Sequence, residues 1–526
     1  MDLEHWREHL SPAQVDDAEQ AQLRYGRDTT GAQRQLLGAV RAADQGQVVK
    51  VMTLAHAAGI PVHPISTGRN WGYGSALPAA QGCLLLDLGG MKGCEFHADQ
   101  GVATVEPGVT QADLARCLDE GQHPYLVPVT GAGPTTSLLA NALERGYGVT
   151  PLVDHFSAVT DIEAVLADGS LYRGMLGEAA GPDLARLFRW GLGPYTTGLF
   201  TQSGFGVVTR MSILLARRPE RVCVGLFGFK DEKLLGQAVE AIRDILQRLP
   251  GIVGAINLMN RHRVLSMSAP YPWESLDARG LIPDDVLGVM GREYQILPWT
   301  GFCTLYGTNL TVRAAQREIK SRLKGLASRL MFVTPQRAQT LHALSKLLPG
   351  KLGNRLQALS GTLRQSLDLV SGRPNETALP LAYWRSRSVQ AGTPRNPAAD
   401  GCGLLWYAPL VPMDAAAARN YVELVRETTA RHGMEPLITF TTLGDRLFDS
   451  TVPILFDERE PGARARAWAC YEELLERGRE RGFFPYRLPV DAMPHLRRLA
   501  PQATAFNDRL ARAIDPQRRL APDRYY

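Results

Sequence analysis

Apolar and polar residues follow two different patterns along the chain, and the change between them falls near residue 220. Before that point, short apolar runs typical of strands are separated by glycine-rich turns and a few helical segments. Strands are predicted at 60–62, 82–87, 102–105, 158–167 and 206–216, and helices at 48–58, 110–120 and 137–144.

From about residue 221, a unit of strand, long amphipathic helix and strand occurs three times. The predicted units are 226–229, 231–247 and 252–258; 302–306, 311–330 and 331–334; and 404–409, 414–432 and 437–442. Such a repeat indicates one sheet with helices packed on a face, in a separate α+β domain. The last stretch, 483–526, leaves this pattern and contains one more helix ending near Ile514.

Composition and charge narrow the class of protein. The 526 residues are 45% hydrophobic and 21% charged, which is ordinary for a globular enzyme. The net charge of +5 comes without a basic arm or a basic-aromatic stripe, so nucleic acid is not an expected partner. The seven scattered cysteines and the polar N-terminal segment predict reduced thiols and a cytoplasmic protein. No apolar run approaches the roughly 20 residues of a membrane helix, so no membrane span is expected.

The stretch PISTGRNWGYG, at 64–74, is the strongest candidate for chemistry. Small and hydroxylated residues beside glycines let a backbone approach a phosphate and turn its N–H groups toward it, and Arg69 adds a cation. The stretch is neither GxGxxG nor GxxxxGK[ST], so it is neither a Rossmann fingerprint nor a P-loop. A second glycine-rich segment, VTGAGPTT, precedes the helix at 137–144, where unpaired N–H groups favour an anion.

These motifs, with others in the same order, resemble the vanillyl-alcohol oxidase / 4-cresol dehydrogenase (p-cresol methylhydroxylase, PCMH) family of FAD enzymes. The other matching segments are VEPGVT at 105–110, the NALERGYG run at 141–148 with the TP and DH pairs after it, GPYTTGLFTQS at 193–203, YR at 486–487 and LAP at 520–522. The resemblance spans roughly 36–526. It implies an α+β fold, in which a two-part PCMH-type FAD-binding domain is interrupted by an α+β cap domain with an antiparallel sheet covered by helices. The parts would be 1–220, 221–483 and 484–526.

The resemblance also implies which residues bind FAD. The loop at 64–75 would cradle the pyrophosphate, and the segment from 131 to 141 would line its other side. The expected cofactor-binding residues are Pro64, Ser66, Thr67, Gly68, Arg69, Asn70, Gly74, Ser75, Gly131, Gly133, Ser137, Asn141, Gly206, Val208, Arg487 and Arg524. For each of them, the alternative is a structural turn or packing residue.

Four residues are expected to be catalytic by the same resemblance: Tyr73, Asp154, Tyr486 and Arg487. In the family, the two matching tyrosines and the arginine bind the oxygen of a para-substituted phenol. A cation and two hydroxyl donors favour the phenolate, whose negative charge promotes hydride transfer from the benzylic carbon to flavin N5 and leaves a para-quinone methide. Arg487 would also stabilise charge near flavin N1. Asp154 would be the acid/base group that activates water; a turn residue is its alternative interpretation, as packing is for Tyr73.

Three positions depart from the family. Several relatives attach FAD through a histidine or a tyrosine, and the matching positions here are Leu404 and near Asn396, so dissociable FAD is predicted. Relatives carry a histidine pair where this chain reads LFDSTVPIL, at 447–455, which indicates an altered substrate pocket. The glycine of the LAPG motif is replaced by Asp523, which puts the FAD contact of Arg524 in question.

Three functional hypotheses follow. The first is oxidation of a 4-alkyl- or 4-hydroxyalkyl-phenol, the second is oxidation of a 2-hydroxy acid or another alcohol on the same fold, and the third is flavin binding without turnover. The group of Tyr73, Tyr486 and Arg487 favours a phenol, because a carboxylate would need only the cation. Asp154 argues against the third. The electron acceptor, oxygen or a cytochrome subunit, is left open, a homo-oligomer is expected and no metal site is predicted.

Overall fold

The structure is a computed structural model that describes residues 6–8, 10–347, 350–387 and 389–526. Its first sheet contains β1 (Val15–Asp16), β2 (Leu36–Arg41), β3 (Val62–Ile65) and β4 (Cys83–Asp87) in the order β1-β2-β4-β3. The strands β2, β4 and β3 are parallel, and β1 is antiparallel to β2. The helices of this part are α1 (Ala18–Tyr25) and α2 (Gln45–Ala58). Asp44 begins α2 by accepting a hydrogen bond from the backbone of Gln47, and Gly59 ends it with φ of 64°.

The second sheet is antiparallel and has five strands. They are β5 (Cys94–His97), β6 (Val102–Val105), β7 (Val159–Val165), β8 (Leu171–Arg173) and β9 (Val207–Leu214), in the order β5-β6-β9-β7-β8. The helices here are α3 (Gln111–Glu120), α4 (Leu138–Leu143), α5 (Met175–Ala180) and α6 (Pro182–Ala185). Thr110 and Asp113 form a capping box at the start of α3, which confirms the helix predicted at 110–120.

The third sheet is the largest and is also antiparallel. Its strands are β10 (Arg221–Phe229), β11 (Val253–Asn260), β12 (Trp299–Gly307), β13 (Arg329–Val333), β14 (Cys402–Tyr407), β15 (Pro409–Pro412), β16 (Thr439–Leu443), β17 (Leu447–Asp457) and β18 (Phe484–Pro485). The order is β13-β10-β12-β11-β16-β17-β15-β18, and β14 also pairs with β17. We call this the cap sheet. The strands of all three predicted strand-helix-strand units lie in this sheet, so the predicted cap domain with an antiparallel sheet is confirmed.

The helices associated with the cap sheet and the C-terminal segment complete the fold. They are α7 (Leu235–Arg248), α8 (Arg261–Ser268), α9 (Asp284–Glu293), α10 (Asn309–Arg322), α11 (Pro335–Ser345), α12 (Gly350–Val370), α13 (Pro380–Tyr383), α14 (Pro397–Asp400), α15 (Ala415–Arg431), α16 (Ala463–Glu480), α17 (Leu496–Leu499) and α18 (Pro501–Ile514). The helix predicted at 311–330 was too long at its C-terminal end, because the chain turns after Leu323 into β13. Within the described chain, no helix is both long and apolar enough to cross a membrane.

The two faces of the cap sheet have different roles, since alternate residues of a strand point to opposite faces. On β17, Val452, Ile454 and Phe456 pack into the large core beneath α7, α15 and α16. Thr451 and Leu455 belong to the opposite register, in which Thr451 faces a cavity and Leu455 joins a separate apolar cluster beside it. The cavity side of the cap sheet is therefore built by odd-numbered positions of β17.

The C-terminal residues return to the first sheet. Leu520 forms a parallel bridge with Val62 of β3. The backbone N–H of Val62 donates to the carbonyl of Arg519 at 2.7 Å, and the N–H of Ala521 donates to the carbonyl of Val62 at 2.8 Å. Because β18 pairs with β15 of the cap sheet, the last segment joins the two halves of the molecule. We propose the three-part division at 1–220, 221–483 and 484–526 on this basis.

Gly72 fixes the distance between the 64–75 loop and the cap sheet. Its φ is 78°, and a Cβ atom there would lie 2.2 Å from Cδ1 of Trp406 on β14. We predict that Gly72→Ala lowers the free energy of unfolding by about 1–2 kcal/mol for the backbone conformation and by about 1–3 kcal/mol more for the displaced indole. Urea unfolding followed by tryptophan fluorescence measures the loss.

The matched control is Gly444→Ala, at φ of 74° with open space where the added methyl group would lie. It should show the backbone cost alone. Equal losses for the two variants would contradict the proposed contact between the loop and Trp406.

Candidate active site

A cavity of about 380 Å³ lies between the first two sheets and the cap sheet. The loop 64–75 and the segment 131–141 form one wall, and Leu404, Trp406 and Thr451 belong to the cap side. Most of the predicted site residues line it: Pro64, Ser66, Thr67, Gly68, Arg69, Asn70, Tyr73, Ser75, Gly131, Ser137, Asn141, Arg487 and Arg524. Residues more than 450 positions apart in the sequence thus meet in one place.

Four predicted cofactor-binding residues do not line the cavity. A Cβ atom on Gly74 would lie 2.7 Å from Val490, and one on Gly206 would lie 2.6 Å from the ring of Phe200. Gly133 approaches Leu379 in the same way, at 3.1 Å, and Val208 is buried in the core of the second sheet. Close packing of the backbone accounts for these glycines, and apolar burial accounts for the valine.

The loop offers unpaired backbone donors to the cavity. The N–H groups of residues 66–71 donate to no backbone acceptor within the described part of the chain. Gly68 has φ of 64°, and the buried hydroxyl of Thr136 on the opposite wall also lacks a partner among the described residues. Because unpaired polar groups are costly unless a ligand or water satisfies them, this cradle fits the pyrophosphate of FAD. The isoalloxazine ring of a bound FAD supplies a hydride acceptor.

Arg487 connects three parts of the site. Its Nη2 donates to Oδ1 of Asn70 in the loop, and its guanidinium carbon lies 4.2 Å from the ring centre of Tyr73. Its Nε is 3.1 Å from Oε2 of Glu144, as an ion pair without hydrogen-bond geometry. The side chain is only 11% exposed. The cation is therefore fixed in position before any substrate binds.

Glu144 is a site residue that was not singled out from the sequence. One oxygen faces Arg487, and the other forms an ion pair with Nη2 of Arg524, so a single carboxylate holds two arginines. Its place in the NALERG run was the available signal. Two guanidinium groups and one carboxylate leave a net charge of +1 beside the cavity, which suits an anionic ligand. The replacement of glycine by Asp523 does not prevent Arg524 from reaching the cavity.

Tyr73 is buried and Tyr486 is half-buried, and both phenol groups lie within electrostatic range of Arg487. Burial raises the pKa of both phenols well above the usual value; nearby Asp449 raises it further, and Arg487 lowers it. Both hydroxyls therefore stay protonated and can donate. Tyr147, which was also missed, packs edge-on against Tyr486 with ring centres 5.3 Å apart.

Tyr73 and Arg487 line the cavity, whereas Tyr486 is not among its described lining residues. Asp154 also differs in position from Tyr73 and Arg487. Its Oδ1 accepts from the backbone N–H of Ser157 at 3.1 Å and caps a short turn. It is not among the described residues that line the cavity, although its backbone is bridged to Tyr147. The turn role that the sequence left open is thus the one visible in the structure, and an acid/base role remains a prediction.

Asp449 is a buried carboxylate within the 447–455 segment. It is 4% exposed, and its Oδ1 has no hydrogen-bond partner among the described residues. Burial raises its pKa to about 7. Its charge raises the pKa of Tyr73, Tyr147 and Tyr486, so it lies within electrostatic range of all three. The sequence marked this segment as altered but did not single out this residue.

Arg263 is a buried cation on the cap side of the cavity. Its Nε donates to Oγ1 of Thr439 at 3.0 Å, and its buried Nη1 has no partner in the described chain. Burial lowers its pKa to about 10, so it stays protonated at neutral pH. No motif pointed to it, because α8 carries arginines at both 261 and 263 and only the fold shows which one faces the cavity.

The two positions used for covalent flavin attachment in relatives carry no nucleophile here. Leu404 lines the cavity and is 2% exposed. Asn396 accepts from the indole N–H of Trp71 at 3.3 Å and from the backbone of Ala399. A leucine and an engaged amide cannot form the bond.

Comparison with known proteins gives consistent matches. Residues 37–174 match the sequence profile of an FAD binding domain. The chain is 31% identical to 1'-carboxy-chondrochloren decarboxylase of Chondromyces crocatus over 526 residues, covering 99% of this chain and 96% of that protein. It is 27% identical to the 4-cresol dehydrogenase [hydroxylating] flavoprotein subunit of Pseudomonas putida over 491 residues, covering 92% and 87%. The solved 4-ethylphenol oxidase from Gulosibacter chungangensis superposes with a TM-score of 0.88 at 23% identity, covering 99% and 96%.

Asp449 predicts a pH dependence of stability. Its folded pKa of about 7 lies above the ordinary 3.8, so the folded state keeps a proton that the unfolded state loses. Stability therefore falls as pH rises from about 4 to about 7, by up to about 4 kcal/mol. We expect Asp449→Asn to remove this loss of stability. In urea unfolding, the free energy of unfolding of the variant should therefore exceed that of the wild type by an amount that grows from about pH 4 to about pH 7.

The comparison between variants is necessary because buried His63 and His155, with pKa values lowered to about 3 and about 4, give the opposite slope below about pH 6.5. Asp445→Asn, in the less buried turn before β17, is the control and should keep the wild-type profile. Parallel profiles for Asp449→Asn and the wild type would contradict the assignment of a buried carboxyl group with a raised pKa.

Proposed function

This chain belongs to the vanillyl-alcohol oxidase / 4-cresol dehydrogenase family of FAD-linked oxidoreductases, and we propose that it oxidises a para-substituted phenol. The observation that carries the proposal is the meeting of Arg487 and Tyr73 in the cavity wall, with Tyr486 within electrostatic range of both. The benzylic hydrogen of the phenolate would leave as hydride, for which a bound FAD would supply the acceptor, and the substrate would become a para-quinone methide.

The three side chains suit a phenolate better than a neutral phenol. Arg487 offers a fixed positive charge, and the two tyrosines offer hydroxyl donors that burial keeps protonated. Charge-assisted hydrogen bonds of this kind are roughly twice as strong as neutral ones, so they lower the pKa of the bound phenol. The ionised ring is the better hydride source, because its negative charge is released as the quinone methide forms.

Asp449 is the proposed acceptor of the phenol proton. It lies beside the same tyrosines, and its Oδ1 is unpaired among the described residues. When the proton moves from the phenol to this carboxylate, one negative charge appears and another disappears, so the net charge of the buried site is unchanged. That balance makes ionisation of the substrate less costly than it would be in a site without a base.

The quinone methide has two possible fates. Water can add to the benzylic carbon, and Asp154 is the proposed acid/base group for that step. A carboxylate on the neighbouring side-chain carbon gives the second candidate: the electron pair of the C–COO⁻ bond enters the quinone methide, CO₂ leaves, and an alkenyl phenolate forms. The name of the Chondromyces crocatus relative and the unpaired Nη1 of Arg263 in the described cavity wall favour this second fate. Product analysis for CO₂ and an alkenyl phenol separates the two.

Oxidation of a 2-hydroxy acid remains the alternative on this fold. It would need a cation for the carboxylate and a base for the hydroxyl proton. It would leave the donors of Tyr73 and Tyr486 without a role beside Arg487. The phenol accounts for all three side chains, so we favour it.

We predict that 4-alkylphenols bleach the oxidised flavin under anaerobic conditions and that lactate does not. Arg487→Ala should abolish bleaching, and Tyr73→Phe should slow it by a factor on the order of 10²–10³, as for removal of one donor to a developing oxyanion. Stopped-flow absorbance of the flavin measures both rates.

Tyr172→Phe is the matched control, because Tyr172 lies on β8 of the second sheet, its hydroxyl contacts Thr196, and neither residue lines the cavity. The flavin of this variant should be reduced by 4-alkylphenols at the wild-type rate. Unchanged reduction in Arg487→Ala, or bleaching by lactate in place of phenols, would refute the proposal.

We further propose that FAD is bound without a covalent bond, because Leu404 and Asn396 stand at the attachment positions. Acid precipitation should leave the yellow colour in the supernatant and a colourless pellet. Flavin fluorescence that stays with the denatured polypeptide on a gel would contradict this.

A further inference from the structure

We propose that Arg263 binds a carboxylate on the para side chain of the substrate, so that the enzyme prefers phenols whose alkyl chain carries an acid group. The inference rests on the proposed phenol oxidation and names its substrate class. Arg487 would hold the phenolate end of such a molecule, and Arg263 would hold its acidic end.

The first observation is the missing partner of a buried charge. Arg263 is 8% exposed, and no ion pair joins it to a carboxylate of the described chain. Burial is the one influence on its pKa, without any neighbouring charge. Buried charges are costly unless they are paired, so the fold maintains this cation against its desolvation penalty. A ligand anion that enters the cavity would offset that penalty.

The second observation is the direction in which the side chain is held. Arg263 lies in the first turn of α8, directly after β11, and its Nε is fixed by Oγ1 of Thr439 on β16. Thr439 pairs in register with Thr451 on β17, and Thr451 lines the cavity. One bond thus positions the guanidinium, and Nη1 is left without a partner among the described residues. A planar guanidinium with free donors matches the geometry of a carboxylate.

The third observation separates this cation from the FAD site. The phosphate cradle, Arg524 and Arg487 all belong to the loop, the segment at 131–141 or the C-terminal residues. Arg263 comes from the cap, as do its apolar neighbours in the cavity, Leu381 and Leu404. An apolar wall with one unpaired cation suits an alkyl chain that ends in an acid group.

The test uses two probes that differ by one charge. 4-Hydroxyphenoxyacetate and 4-hydroxyphenoxyacetamide have an ether oxygen in place of the benzylic carbon, so neither can be oxidised there. Their dissociation constants for the FAD-loaded enzyme are measured by calorimetry. We expect the wild type to bind the acid about 10- to 100-fold more tightly than the amide, as for a charge-assisted hydrogen bond. Arg263→Gln should abolish this preference without weakening the amide.

Arg261→Gln is the matched control, because it removes a cation from the same helix that does not line the cavity. It should keep the wild-type preference, and Arg263→Lys should keep part of it. The thermal midpoint of ligand-free Arg263→Gln should equal or exceed that of the wild type, since an uncompensated buried charge is removed.

The inference would be overturned if the wild type bound the acid and the amide equally, or if Arg263→Gln kept an undiminished preference for the acid. It would also be overturned if Arg263→Gln bound both probes more weakly and had a lower thermal midpoint, because Arg263 would then be a structural residue. Tight binding of the amide with no preference for the acid would refute the carboxylate site and leave the proposed phenol oxidation standing. Binding of neither probe would contradict both.

Discussion

The shared carboxylate of Glu144 is the interaction on which the active site depends. It holds Arg487 and Arg524, two residues of the C-terminal segment, against the helix that follows the second glycine-rich segment. Arg487 in turn contacts Asn70 and the ring of Tyr73 in the first glycine-rich loop. Because two buried guanidiniums without a counter-charge would be costly, this one acid lets separate parts of the chain meet at a site that keeps a net positive charge.

The cap sheet supplies the chemistry of the opposite wall through the simple alternation of its strands. Even positions of β17, from Val452 to Phe456, fill the core under the long helices, while Thr451 on the odd register faces the cavity. Asp449 belongs to that odd register, and Arg263 is held to the neighbouring strand through Thr439. The binding wall and the core are thus two sides of one sheet, so polar residues can be placed at the site without disturbing the packing behind them.

The fold was predictable where local signals agree. The capped helix Gln111–Glu120 and the apolar strands at 82–87 and 102–105 needed no long-range information. The longest strand, Leu447–Asp457, was missed, because its Asp, Ser, Thr and Pro residues hide a buried strand that its partners β14, β15 and β16 stabilise. The helix predicted at 311–330 was too long, because long-range pairing with β10 places its last residues in a strand.

The site was predictable to the extent that motifs carry it. The glycine-rich loops and the YR pair are local motifs, and the loops and Arg487 of that pair line the cavity as expected. Glu144, Asp449 and Arg263 are single polar residues in ordinary surroundings, and their importance arises from burial and from the partners that they have or lack among the described residues. Those properties exist only after folding: the NALERG run was a local signal for Glu144, but no motif singled out Asp449 or Arg263.

The central claim is that the site binds its substrate as a phenolate, and ionisation of a bound phenol tests it most directly. 4-Methoxyphenol has no benzylic hydrogen, so its ultraviolet difference spectrum can be recorded on the resting enzyme at pH 7, well below the pKa of about 10 of a free phenol. We expect the spectrum of a phenolate when 4-methoxyphenol binds to the wild type, and that of a neutral phenol when it binds to Arg487→Ala. A neutral phenol bound tightly to the wild type would contradict it.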